Sequence, residues 1–252
     1  MIYVRSFMFL IAASLITGFY GILGLCSLCI GAKPLTRHRW VTSWVPAMMW
    51  AVRHLLNIEY RVIGRENLPP GPAVIVSKHQ SAWETIGLQM IFPPLAFILK
   101  RELLWIPFLG WALASIRSIA IDRKAGKDAL SQVLEQGRER LKEGLWVAVF
   151  PEGTRTPPGA RGRYKPGGAF LAKRAGVPVV PVAHNAGEFW RRQAFLKYPG
   201  EITVSIGPAI GVKGIKVEEI NRRSKEWIEN EMTRLFPHHF RAGENAQDSE
   251  AA

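Results

Sequence analysis

Two short blocks of the chain hold residue types that could do chemistry. In the first, the run Ala73-Val74-Ile75-Val76-Ser77 passes directly into Lys78-His79-Gln80-Ser81-Ala82-Trp83-Glu84, after which the pattern turns helical. A histidine at a strand-to-helix junction can serve as a general base. On a continuous helix His79 and Glu84, five positions apart, would diverge by about 140°. If His79 instead precedes the helix, Glu84 in the first turn can fold back on it. The carboxylate then fixes the tautomer and stabilises the imidazolium, as in a hydrolase triad without its serine. Ser81-x-x-Glu84 also reads as a capping box, with Glu84 returning to the backbone N–H of the cap. The residues alone leave both roles open for Glu84.

In the second block, a strand from Leu145 to Phe150 ends in Phe150-Pro151-Glu152-Gly153-Thr154-Arg155, followed by Arg161, Arg163, Lys165 and the Gly167-Gly168 pair. Gly153 frees the backbone, while Thr154 and the arginine fork of Arg155 are donors suited to a phosphate. The carboxyl ends of strands in open α/β sheets are where ligands bind. A surface turn with solvated arginines would explain the composition of residues 155–165, but less readily the buried strand leading into it.

These blocks need elements to position them. Strands are expected at Glu59 to Gly64, Ala73 to Ser77, Ser118 to Asp122, Leu145 to Phe150, Val177 to Ala183 and Ile202 to Gly207. Helices are expected at Trp83 to Ile91, Lys127 to Glu143, Gly168 to Ala175 and Val217 to Phe236. In the last, Ile220, Trp227, Ile228 and Leu235 share one side. The alternation predicts an α/β fold, a mixed, mainly parallel sheet flanked by helices. It forms a catalytic domain over residues 57–240, followed by a small, polar, disordered tail over 241–252.

Residues 1–56 read as membrane-associated helical segments. No charge occurs between Arg5 and Lys33, and Phe7 to Ala32 is apolar enough to span or lie deep in a hydrocarbon layer about 30 Å thick. The run is too long for a cleaved signal, and the flank of Lys33, Arg37, His38 and Arg39 predicts that the remainder stays in the cytoplasm. A second stretch, Trp40 to Leu56, suits either the headgroup zone or a core-packing helix. The N-terminus is therefore a single span or a hairpin dipped into one leaflet. Cys26 and Cys29, the two cysteines, lie within the apolar run and read as passive membrane residues.

A net charge of +13 points to an anionic partner: nucleic acid, anionic lipid or phosphorylated substrate. The basic residues are scattered and form no nucleic-acid-binding motif. The sequence also shows no Walker-type loop, no zinc-ligand spacing and no Gly-x-Ser-x-Gly elbow.

With both blocks in view, the sequence resembles the glycerolipid acyltransferase family that includes 1-acylglycerol-3-phosphate acyltransferases. Its first block, His-x-x-x-x-Asp, is matched by His79 to Glu84 with Glu in place of Asp, one methylene longer and only about 0.4 pKa units apart. Its third block matches Phe150 to Arg155 residue for residue. The end of its second block fits Ile119 to Arg123, with departures at Arg117 and Ala120, and a proline-centred fourth block resembles Val177 to Val182. The resemblance covers roughly Glu59 to Gly207.

The resemblance implies transfer of a fatty acyl group from acyl-CoA or acyl-carrier protein to the sn-2 hydroxyl of lysophosphatidic acid. The product is phosphatidic acid, in phospholipid biosynthesis. His79 would be the base and Glu84 its partner. Lys100, Arg123, Glu152, Gly153, Thr154 and Arg155 would form the substrate-binding set, Glu152 orienting Arg155 or the loop rather than touching the anion. No metal and no cofactor are implied. The partners would be these substrates and membrane lipids, not nucleic acid, at the cell membrane with the catalytic domain on its cytoplasmic side. Glycerol-3-phosphate or another lysolipid is the alternative acceptor; a lipid hydrolase and a membrane-tethered basic binding protein are the alternatives of other classes. Finally, Lys100 to Trp111 mixes basic with large apolar residues. It would either guide acyl chains at the bilayer surface or form a core helix ended by Pro107.

Overall fold

A computed structural model of the protein describes residues 1–92, 94–122 and 127–240. The expected tail over 241–252 and Arg123 lie outside them. The β-rich runs become strands β1 (Ile58–Ile63), β2 (Val74–Ser77), β3 (Leu95–Lys100), β4 (Ile119–Ile121), β5 (Trp146–Val149), β6 (Val179–His184) and β7 (Gly200–Ile206), in a sheet of order β1-β7-β6-β2-β5-β3-β4. Every pairing is parallel except that of β6 with β7. β2 lies between β5 and β6, and all four of its residues are buried, which explains its Val/Ile content.

Alternation along the strands feeds two cores, because successive side chains point to opposite faces. Ile75, Ala148 and Val180 pack on one face with Trp83 and Leu88 of α4 (Trp83–Ile91). Val74, Val76 and Val147 pack on the other with α6 (Lys127–Lys142), α7 (Gly167–Ala175) and α9 (Val217–Leu235). The amphipathic α9 buries Ile220 and Ile228, with Trp227 and Leu235 partly buried beside them. Two short helices complete the set, α5 (Leu109–Ser115) and α8 (Ala186–Phe189).

The structure corrects one stretch. Leu95–Lys100 is a strand, paired through Leu95 to Phe97 with β5 and through Ile98 to Lys100 with β4. A 3-10 turn follows at Arg101–Trp105, and Pro107 comes before α5. A core helix ended by Pro107 is therefore wrong: the proline stands ahead of a helix, where its fixed φ is tolerated. Trp105 is 76% exposed, and Ile106 and Phe108 are exposed beside it.

The N-terminal run forms α1 (Ile2–Cys29), long and apolar enough to cross a membrane, followed by α2 (Pro34–Thr42) and α3 (Trp44–Leu56). α3 belongs to the first core through Val45, Met48, Met49 and Val52, while Trp50 faces outward. α1 lies along the domain rather than projecting from it. Near its start, Ser6 Oγ accepts a bond from the Lys197 N–H at 3.1 Å and Phe9 meets Trp190 edge-on. Near its end α5 crosses so closely that a Cβ on Gly21 would fall 2.5 Å from the Phe108 carbonyl oxygen, and one on Gly24 3.0 Å from Ser115 Oγ. Its other side exposes Phe7, Ile11, Leu15, Phe19 and Ile22.

Candidate active site

Three strands place the site. β2, β5 and β3 are mutually parallel, so their carboxyl ends share one edge of the sheet. That edge carries His79 after β2, Phe150 to Arg155 after β5 and Lys100 at the end of β3. His79 precedes α4, and its Nδ1 hydrogen-bonds Glu84 Oε1. With Nδ1–H donated to the carboxylate, Nε2 is the basic atom of the ring. The imidazole, 15% exposed, stacks on Phe150 with centroids 4.1 Å apart.

Glu84 makes both of the contacts open to it. While one oxygen meets His79, the carboxylate also accepts the backbone N–H groups of Gln80 and Ser81, each at 3.0 Å. Ser81 Oγ accepts the Trp83 N–H at 3.1 Å, so the cap and the dyad are one arrangement. Burial pushes the Glu84 carboxyl up to about 7, against the pull of His184, the Gln80 and Ser81 amides and Arg155.

The second block supports the first from beneath. Glu152 Oε2 accepts the His79 N–H at 2.9 Å, and its Oε1 meets Lys78 Nζ at 2.8 Å. Thr156, rather than Thr154, reaches the His79 carbonyl, through its N–H at 2.8 Å; Thr154 is exposed. Gly153 has φ +72°, which favours glycine, and a Cβ there would lie 3.3 Å from Lys165 Nζ. Gly153, Arg155, Lys165, Lys100 and His79 line one cavity of about 720 Å³. Leu103, Leu109, Leu113, Ile116 and Val133 supply its apolar wall. Arg155 Nε is buried without a hydrogen-bond partner among the described residues.

The family model described as Acyltransferase matches residues 59–185, a stretch that holds both blocks. A 1-acyl-sn-glycerol-3-phosphate acyltransferase of Pseudomonas aeruginosa is 48% identical over 205 residues, covering 80% of each chain. The chain belongs to the acyltransferase family. A 1-acyl-sn-glycerol-3-phosphate acyltransferase alpha of Bos taurus is 34% identical over 69% of this chain, which spans 61% of that relative's length. The crystal structure of the 1-acyl-sn-glycerophosphate (LPA) acyltransferase PlsC from Thermotoga maritima superposes with a TM-score of 0.77 at 25% identity, covering 92% of this chain and 95% of that one.

Within this acyltransferase the structure adds residues that spacing did not point to. His184, the last residue of β6, is fully buried with its Nε2 2.9 Å from the Lys78 carbonyl and 3.3 Å from Glu84 Oε2. Its Nδ1 accepts the Ala186 N–H, so Nε2 carries the proton and points at the dyad carboxylate. Burial holds this imidazole below its ordinary pKa although Glu84 opposes the shift. Lys78 is 1% exposed between Glu152, Glu229 at 3.0 Å and the Ala160 carbonyl at 2.9 Å, and Tyr164 donates to the same Glu229 oxygen. The signal for His184 was a polar residue ending an apolar strand, which becomes informative once β6 is known to lie beside β2.

Proposed function

We infer that the protein transfers a fatty acyl group from a thioester to the sn-2 hydroxyl of lysophosphatidic acid, giving phosphatidic acid. The observation that carries this reading is the His79–Glu84 dyad at a cavity that also holds Arg155, Lys165 and Lys100 and an apolar wall. The names of the relatives support the choice of acceptor. His79 Nε2 takes the proton of the acceptor hydroxyl as that oxygen attacks the thioester carbonyl. The C–S bond then breaks, and the imidazolium returns the proton to the departing sulfur as a free thiol. Glu84 stabilises the imidazolium between those two steps.

Arg155, whose buried Nε awaits an acceptor, and the ammonium groups of Lys165 and Lys100 hold the acceptor's phosphate, while the apolar wall takes the acyl chain. Glu152 orients the His79 backbone. The donor is acyl-CoA or acyl-carrier protein. α1 lies in one leaflet with its exposed apolar side in lipid, because its length is already committed to α5 and the domain. The basic residues after it put the domain on the cytoplasmic face of the cell membrane.

The test uses purified protein in mixed micelles with each thioester donor and with lysophosphatidic acid, glycerol-3-phosphate or no acceptor. Thiol release that depends on lysophosphatidic acid is expected. Release with water alone would make the protein a hydrolase, and release with glycerol-3-phosphate alone would reassign the acceptor.

A further inference from the structure

We propose that Glu188, His238 and His239 form a binding site for a divalent first-row transition ion of the zinc class. Glu188 lies in α8, and the histidines lie in the 3-10 turn Pro237–Phe240 that follows α9. Glu188 Oε1 is 2.7 Å from His239 Nε2 and 3.2 Å from His238 Nε2, and one ligand atom from each residue lies within 4.8 Å of the others. Successive residues of a 3-10 turn point about 120° apart. Convergence of two neighbouring rings on one oxygen therefore needs support from outside the turn. His239 is buried with its ring 5.6 Å from that of Phe236, and Asn185 Nδ2 holds Glu188 Oε1 at 3.0 Å.

Zinc takes imidazole and carboxylate ligands at about 2 Å, so tetrahedral ligand atoms lie about 3.3 Å from each other. The 3.2 Å between His238 Nε2 and Glu188 Oε1 already has that scale, and the 2.7 Å contact of His239 would widen around an ion. Two imidazoles with one carboxylate suit zinc over magnesium or calcium, which prefer oxygen alone. Three protein ligands leave a fourth position for water. The spacing of 50 positions between Glu188 and His238 explains why the sequence shows no zinc pattern.

An ion at this place ties the end of α9 to α8. That helix follows directly on His184 and Asn185, and its Gly187 N–H donates to Gln80 Oε1 at 3.2 Å. The clamp therefore stiffens an element that backs the His79 block while touching none of the reacting atoms. It does not depend on the acyl-transfer reading.

The experiment uses the full chain without an affinity tag, stripped by chelator in detergent and titrated with zinc chloride by calorimetry and with cobalt chloride by visible absorption. One zinc per chain is expected, with tetrahedral cobalt bands and no thiolate charge-transfer band. His238 is 55% exposed, so His238→Ala should fold. It should bind zinc at least about ten-fold more weakly, the scale seen when even a supporting residue of a metal site is lost. Zinc should raise the thermal midpoint of the parent chain but not of His238→Ala. A Cys26→Ser, Cys29→Ser double variant should keep its uptake. The proposal is overturned by an absence of saturable zinc uptake, by equal affinity in His238→Ala and Glu188→Gln, by loss of uptake in the cysteine variant, or by magnesium displacing zinc at equal concentration.

Discussion

Lys78 and His79 are neighbours in the chain, yet each anchors a different ionic cluster. Lys78 faces inward to Glu152 and Glu229, its three ammonium protons shared among two carboxylates and the Ala160 carbonyl. His79 faces the cavity with one carboxylate behind it. The first cluster is closed: one ammonium serves two buried carboxylates, with the Tyr164 hydroxyl as a further donor to Glu229. The second keeps a basic atom beside a space large enough for substrate. Burial of charge is common to both, so it does not single out the proposed catalytic pair; access to a basic atom from the cavity does. The two clusters meet in Glu152, which binds Lys78 with one oxygen and the His79 N–H with the other.

Substitutions in the two clusters should separate activity from stability. His79→Ala should lower kcat on the order of 10²–10⁴-fold with an unchanged urea midpoint; retention of full transfer by a folded variant would remove His79 from the chemistry. Lys78→Met should act the other way, costing about 3–5 kcal/mol because it leaves two buried carboxylates without their cation. Denaturant unfolding checks it, and a loss under about 1 kcal/mol would show that the cluster is not a lock.

Glu84→Gln tests the seam between the roles. The amide oxygen can still accept a backbone N–H, so the fold should survive while kcat falls by about two orders of magnitude. The pH profile sharpens this. Burial pushes the Glu84 carboxyl up to about 7, so the carboxylate proposed to support the imidazolium should be ionised above that pH and protonated below it. Activity should therefore fall as pH drops through about 7, with an apparent value belonging to the pair. In Glu84→Gln that acid limb should move to lower pH, because the imidazole loses the charge that made it basic. A limb that stays in place would assign the titration elsewhere. The smallest effect is expected from His184→Asn, which removes the donor shared by Glu84 and the Lys78 carbonyl. It should cost about 1–3 kcal/mol and lower kcat a few-fold at constant KM; a change in KM alone would overturn the positioning role.

Much of this site was legible in the order of residues, because both blocks sit where a local pattern changes period. Trp83–Ile91 is helical within its expected bounds, and the apolar runs into Lys78 and Pro151 became adjacent parallel strands. β3 was hidden because Leu95-Ala96-Phe97-Ile98-Leu99 is a short apolar run with no alternation, whose period does not separate strand from helix. Its pairing with Trp146 to Ala148 decides its state, and that pairing is long-range. His184 was hidden for the same reason, since its meaning depends on β6 lying beside β2. The capping box concealed nothing: one carboxylate satisfies the helix start and the imidazole together. The apolar character of α1 was evident, whereas its seat against α5 through Gly21 and Gly24 depends on a long-range backbone approach that no local pattern marks.

That seat has a kinetic consequence. α5 lends Leu109 and Leu113 to the cavity wall and packs its backbone against α1, so this short helix lies between α1 and the cavity. On the proposed seating of α1 in one leaflet, the acceptor would be met by lateral diffusion in two dimensions. Turnover should then track the mole fraction of acceptor in the interface rather than its bulk concentration. Diluting the surface with inert detergent at fixed total acceptor should slow the reaction, whereas a rate indifferent to that dilution would mean that the acceptor arrives from water.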